Sequence, residues 1–436
     1  MTPRRKGGVK AGCILVDELP PAKATFHATV AGLGLSIMSE HTQIAVIGAG
    51  LSGLLSALAL SDPEHGAGRE VILIDAKPID RSETDGRATA LTPSAMRALT
   101  RLGVEEVDAT PILGMRVGEG EADTPWQFEL PERDDEPLAF NVENERLRTS
   151  ILARLKTRPV KIRDNVRVDT LSQNGSVNLM LSDGTQLTAD LVVAADGRNS
   201  ATRRMAGLSV SRSDFGQHAL VTTVIHAEPH EGIALQRFQP VGAVASLPFA
   251  TTKAGHRSQI VWSDRSEAIT AARALPEEAL IALIDDRLWG ALDVTGLDMP
   301  VQSYPLIGQR SEALSRGRVA LIGDAARVIH PLAGQGFNLG IRDIGALVEG
   351  VREAVSTGQD IGTAGLIGYE RWRRADETML ATLTTSLATA PTRGPLSLLG
   401  HARRAAFAAI DDMPALHMLI RREAAGETGE RPTLLR

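Results

Sequence analysis

Gly48, Gly50 and Gly53 fall at G-x-G-x-x-G spacing inside the run IAVIGAGLSGLLSALAL, Ile44 to Leu60, a spacing suited to holding a pyrophosphate. The first glycine permits a tight turn, the second lets a phosphate approach the backbone, and the third lets helix and strand pack closely. Ala49, Leu51 and Ser52 complete the turn at the start of a helix, where free N–H groups and the helix dipole favour an anion. Asp75 ends the next apolar run, 22 residues after Gly53, where a carboxylate can accept hydrogen bonds from a ribose.

Two further aspartates follow apolar strands. Asp196 and Gly197 stand in LVVAADGRNS, and Asp324 stands in LIGDAARVIHPLAGQGFNLG; ligands of open α/β sheets bind outside that end of the strands. The Asp324 carboxylate can bind ribityl or ribose hydroxyls. After it, the loop Pro331 to Gly336, with Gly334 and Gln335, is poor in bulky side chains and lets a planar ring come against backbone. A helix starting at Gly336, Phe337 and Asn338 aims its N–H groups at negative charge on that ring. A reduced flavin carries such charge near N1 and the C2 carbonyl. Arg87, in DGRATAL, reads on its own equally as a surface charge in an ordinary turn.

The elements that must position these residues follow from periodicity. Ile44–Ile47 reads as a strand, Leu51–Leu60 as a buried helix and Val71–Asp75 as a second strand, one βαβ unit of 32 residues that implies a parallel sheet. A membrane span would need about 20 predominantly apolar residues without three helix-weakening glycines; this run has 17 and no basic flank. Segments His218–Val224, Gly242–Phe249 and Ser258–Trp262 predict antiparallel strands of a second sheet. The α/β pattern returns near Pro305, with a strand at Arg318–Ile322 and a helix from Gly336 whose apolar positions Ile341, Ile344, Leu347, Val348 and Val351 keep helical spacing.

A net charge of −6 leaves no basic excess for general nucleic-acid binding. A single cysteine, Cys13, excludes an intrachain disulfide, a CxxC redox pair and a Cys-based metal cluster, and no metal site is assigned. Residues 1–40 are expected to form a disordered leader or an over-long start, with Met38 just before the first strand. Asp17, Glu18, Pro20 and Pro21 interrupt the core that a signal or transit peptide needs.

Taken together, GAGLSGL with Asp75, DGRATAL, AADGRNS and GDAARVIHPLAGQGFNLGIRD resemble the single-component FAD-dependent aromatic hydroxylases, and most of all the ubiquinone-biosynthesis hydroxylases with their HPLAGQGFNLGLRD-like run. Val142-Glu143-Asn144, Phe215-Gly216-Gln217, Arg237-Phe238, Leu247-Pro248, Tyr304-Pro305-Leu306 and Tyr369-Glu370-Arg371 extend the resemblance over residues 42 to 426. It implies an α/β fold with an α+β insert: a Rossmann-like FAD-binding domain (41–115, 145–207 and 305–390), an inserted, mainly antiparallel substrate domain (116–144 and 208–304), and a helical C-terminal segment (391–436).

The resemblance further implies that Gly48 to Gly53 and Asp75 hold the ADP half of FAD. Arg87 would reach the cofactor, Asp196 and Gly197 would serve FAD and NAD(P)H, Asp324 the ribityl-pyrophosphate side, and Gly334 to Asn338 the isoalloxazine. Pro331 would lie against the oxygen adduct. NAD(P)H would reduce the flavin, and a C4a-hydroperoxide formed with O2 would hydroxylate a polyprenylated phenol. Arg327 departs from the histidine usual after GDAA, which leaves the local geometry open. His330 reads as a structural residue of a βα loop, and no acid–base residue is assigned.

The lack of a second G-x-G-x-x-G argues against a separate NAD domain of the disulfide-reductase type. Trp126, Trp262, Trp289 and Trp372 are never two apart, which excludes the WxWxI element of flavin halogenases. A hydroxylase of small soluble aromatics and a flavin-binding scaffold of a quinone-synthesis complex stay open. So do homo-oligomer formation and the location, expected to be cytoplasmic. Peripheral attachment to the inner membrane is a further alternative, through Leu396 to Arg422 with Arg403, Arg404, Arg421 and Arg422.

Overall fold

A computed structural model of the chain describes residues 27–28, 37–81, 86–105, 107–119, 126–130, 136–330, 336–373 and 431–436. Its centre is a parallel sheet in which strand Ile37–Ile47 lies between Gln186–Ala194 and Val71–Ile74, with Lys161–Arg163 beyond the latter. Val319–Leu321 joins in parallel on the other edge of Gln186–Ala194. Ile44, Ala45, Val46 and their neighbours Ile72, Leu73, Val192 and Val193 are buried, because helices and loops cover both faces of such a sheet.

The first strand begins earlier than expected. Ser39 to Thr42 pair with Gln186 to Ala189, and His27–Ala28 pairs antiparallel with Ile37–Met38, so Met38 lies inside the strand. Polar side chains at this end hide a ladder that is held by backbone hydrogen bonds rather than by apolar burial. The rest of the expected leader, and the segment Leu396 to Arg422, lie outside the described residues. Among the described residues, no helix is long and apolar enough to cross a membrane; IAVIGAGLSGLLSALAL is the end of a strand, a turn and the helix Leu51–Ser61.

The second sheet is mainly antiparallel. Its order runs from Arg327–Val328 through Gln302–Ser311, Val210–His226, Gly255–Arg265, Ala243–Thr252 and Ile233–Phe238 to Gly114–Glu119 and Trp126–Leu130. Helices Ser266–Arg273 and Glu277–Arg287 cover one face, where Leu220, Val244, Ile260, Trp262, Ile269 and Ile284 form a core. Residues one register away, Ala219, Val221 and Leu306, cluster on the other face with Phe215 and Tyr304. The domain division expected at 304/305 falls within the continuous strand Gln302–Ser311: this strand pairs along Val210–Val221 and also meets Arg327–Val328, beside the Asp324 turn.

A three-stranded sheet, Ala88–Leu91, Ala139–Glu143 and Ala109–Ile112, joins the two bodies. Arg257 of the second sheet reinforces that junction by pairing with Glu143 at 3.2 Å and Asp298 at 2.7 Å.

Candidate cofactor cleft

The turn after the first strand is built as its glycines require. A Cβ on Gly53 would lie 1.8 Å from the Gly48 carbonyl oxygen, so helix Leu51–Ser61 packs onto its turn only without a side chain there. Gly50 differs: a Cβ there meets nothing within 4 Å, and the residue faces a cleft of 810 Å³, within the range of cofactor and ligand sites. As the N-cap, Gly50 offers no side-chain acceptor, which leaves the N–H groups of the first helical turn available to an anion.

Leu51, Ser52, Arg87, Gly197, Asp324, Gly336 and Phe337 line the same cleft as Gly50. Gly48 and Gly53 shape the turn from behind. The Ala49 N–H donates to Asp75, whose carboxylate also accepts from the Lys77 N–H at 2.8 Å and pairs with Arg81 at 3.1 Å. Asn338 is structural: its amide donates to the Ala90 carbonyl at 2.8 Å and accepts from the Thr92 N–H at 3.0 Å, which locks the helix Gly336–Ser356 to the joining sheet. Pro331, Gly334 and Gln335 lie outside the described residues, as does Asp85.

Asp196 and Asp324 fare differently. Asp196 accepts from the Ser200 hydroxyl and from the N–H and hydroxyl of Thr202, both at 3.0 Å, so it fixes the start of helix Ala201–Met205 and leaves Gly197 at the cleft. Asp324 projects into the cleft, where it is open to solvent; desolvation by the protein around the cleft pushes its pKa up, against the pull of Arg87 and Arg198. Its turn is held from elsewhere. The buried Asp343 accepts from the Gly323 N–H at 3.0 Å and pairs with Arg327 and, at 2.7 Å, with Arg373. Arg327 therefore anchors the turn. Gly323 takes φ +56° and sits against Ser52 Oγ, 2.6 Å from where a Cβ would be, so the two halves of the cleft interlock through the first helix.

Several lining residues escaped the motifs. One wall is helix Asn144–Lys156, which buries the row Leu147, Ile151 and Leu155 and turns Glu145, Thr149, Ala153, Arg148, Leu152 and Lys156 to the cleft. Arg203 is 2% exposed; it donates to the Ala325 carbonyl at 2.7 Å and the Arg198 carbonyl at 3.1 Å, clamping both aspartate turns together. His330, 3% exposed, donates from Nε2 to Gln217 at 3.1 Å and meets the edge of Phe215. Burial lowers its pKa to about 4, so the imidazole is neutral near pH 7 and ties the second sheet to the end of the Asp324 segment.

A dinucleotide turn and two strand-end turns thus open on one cleft, with a second sheet laid alongside. The chain belongs to the family described as FAD binding domain, which matches residues 41–377, and it is an FAD-dependent monooxygenase. It is 34% identical over 407 residues to ubiquinone hydroxylase UbiL of Rhodospirillum rubrum, covering 90% of this chain and 92% of that protein. Identity to ubiquinone hydroxylase UbiM of Neisseria meningitidis is 31% over 344 residues, 76% of this chain and 73% of that one. Among solved structures, Pseudomonas aeruginosa PqsL in complex with 2-aminobenzoylacetate shares the fold with a TM-score of 0.71 at 22% identity, covering 86% of this chain and 100% of that one. The resemblance read from the motifs and the mixed α/β fold class are thus confirmed.

Proposed function

We propose that this enzyme hydroxylates the aromatic ring of a polyprenylated phenol in ubiquinone biosynthesis, with NAD(P)H and O2 as co-substrates. The observation that carries the cofactor site is the open Cβ direction of Gly50 into a cleft shared with Asp324 and Gly336. The ring substrate is inferred from the ubiquinone hydroxylases matched over most of the chain.

Bound FAD supplies two-electron transfer from the nicotinamide and activation of O2 for insertion of one oxygen atom into an electron-rich ring, the other leaving as water. The protein binds and orients. N–H groups of Leu51 and Ser52 hold the pyrophosphate, Asp75 the adenosine ribose, Asp324 the ribityl chain, and Arg87 adds a cation beside the phosphates. Asp196 acts by shaping the turn that presents Gly197. The inner face of the second sheet, with Phe215, Val221, Tyr304 and Leu306, borders the ring site and excludes water from it. His330 positions rather than transfers a proton, because its imidazole is neutral and committed to Gln217.

Gly50→Val tests the cofactor site. The variant is expected to fold, since a Cβ at this position meets no protein atom within 4 Å, and to be purified colourless; stoichiometric FAD in that variant would overturn the site. The substrate assignment is tested by the quinone intermediate that accumulates when the gene is deleted. A prenylated phenol lacking one ring hydroxyl is expected, whereas an unaltered quinone pool points to a small soluble aromatic. A protein that holds FAD but never oxidises NAD(P)H with any phenol is a scaffold. The prenylated substrate is lipid-borne, so flotation with anionic vesicles at low salt distinguishes membrane attachment from delivery within a soluble complex.

A further inference from the structure

We infer that Tyr304 is a positioning residue for Arg87, setting that cation from the second sheet before the cofactor arrives. The inference rests on the reading of Arg87 as a cofactor ligand. The Arg87 guanidinium carbon lies 5.3 Å from the centroid of the Tyr304 ring, within the reach at which an aromatic face attracts a cation.

The ring itself is rooted on both sides. It packs with Ala219, Val221 and Leu306 on the inner face of the second sheet, and its hydroxyl donates to Gln302. The backbone that carries Arg87 is clamped by the same sheet. The Gln259 amide donates to the Gly86 carbonyl at 3.4 Å, and a Cβ on Gly86 would come within 3.2 Å of the Gln302 amide nitrogen. From the cofactor side, the Asn144 N–H donates to the Arg87 carbonyl at 3.0 Å.

Arg87 is the point where these restraints matter. It borders both the cofactor cleft and a second cleft of 630 Å³ that Thr223, Phe249 and Met299 line from the second sheet. An exposed arginine ordinarily loses rotamer freedom when a ligand fixes it. A ring that already holds the guanidinium reduces that loss and raises affinity without touching the cofactor. Tyr304 thereby makes FAD affinity depend on a residue of the other body of the molecule.

The test is a double-mutant cycle on the FAD dissociation constant of the apoprotein, read by flavin fluorescence, with thermal midpoints of the apo forms alongside. Arg87→Gln is expected to weaken FAD binding. Tyr304→Leu is expected to weaken it about 3- to 10-fold, inside the range of cation–π interactions, and the double variant to be no weaker than Arg87→Gln alone. Tyr304→Phe, which keeps the π face, is expected to stay within about twofold of the parent. Should Tyr304→Leu fail to fold, Tyr304→Met carries the same test. Multiplicative effects of the two single variants, or equal losses for Tyr304→Phe and Tyr304→Leu, would overturn the positioning role. Unchanged affinity in Arg87→Gln would instead remove the cofactor reading of Arg87, and the proposal with it.

Discussion

Asp196 and Asp324 occupy matching places, each just past the end of a central strand and each followed by a turn, yet the two turns are built on opposite plans. In the first, the motif's own aspartate holds the turn, taking hydrogen bonds from Ser200 and Thr202. In the second, a distant carboxylate does the holding. Asp343 accepts the Gly323 N–H and gathers Arg327 and Arg373, and among the described residues none donates a hydrogen bond to the Asp324 carboxylate. A carboxylate bonded within its own turn is committed to the fold, whereas Asp324, whose turn another group holds, stays open to the cleft.

The comparison breaks most visibly at Asp343. Asp343→Asn leaves Arg327 and Arg373 buried without their carboxylate, and breaking a buried ion pair in this way costs about 3–5 kcal/mol. Urea unfolding of the apoprotein should show that loss, and a change below about 1 kcal/mol would mean that the second turn is held by something else. Asp324→Asn should do the reverse. FAD affinity is expected to fall by at least about tenfold, as for a lost hydrogen bond to a charged group, while the apoprotein keeps or gains stability.

The gain has a definite pH dependence. Desolvation by the cleft walls holds the Asp324 carboxyl above its ordinary value of 3.8, so the folded chain binds this proton more tightly than the unfolded one. Its contribution to stability is fully present below 3.8 and is lost as pH rises through the folded value. The advantage of Asp324→Asn over the parent apoprotein should therefore grow upward through that window; an advantage that shrinks with rising pH contradicts the desolvation of this carboxyl by the cleft walls.

Much of this site was legible because its chemistry is backbone chemistry. The spacing of Gly48, Gly50 and Gly53 specifies a turn wherever it occurs after a strand, and an aspartate closing an apolar run marks a strand end. The antiparallel insert was equally legible from its short β-rich runs. What stayed hidden depends on partners far along the chain. Arg203 reads as one of a pair of surface arginines until Ala325, 122 residues away, meets it. Asp343 sits about two turns into a helix like any solvated acid. In helix Asn144–Lys156 the apolar row Leu147, Ile151, Leu155 was visible at i,i+4 spacing, but nothing local tells which polar row faces water and which a cleft. The strand Ile37–Gln43 was missed for the same reason: its pairing with Gln186–Ala189 uses backbone groups that leave no trace in side-chain type.

Asp196 offers the smallest and most discriminating effect. Its motif reads like that of Asp324, so a direct cofactor role predicts that Asp196→Ala lowers FAD affinity as strongly as Asp324→Asn does. The observed bonds predict otherwise. Removing the acceptor of the Thr202 N–H at a helix start costs about 0.5–2 kcal/mol, so the thermal midpoint of the apoprotein should fall, while FAD affinity changes only as far as the turn bearing Gly197 loosens. Asp196→Asn retains one acceptor oxygen for Thr202 and should recover most of the midpoint. If the asparagine variant restored stability but left FAD binding as weak as in Asp324→Asn, the carboxylate charge itself would be serving the cofactor, and the contrast between the two turns would be one of degree.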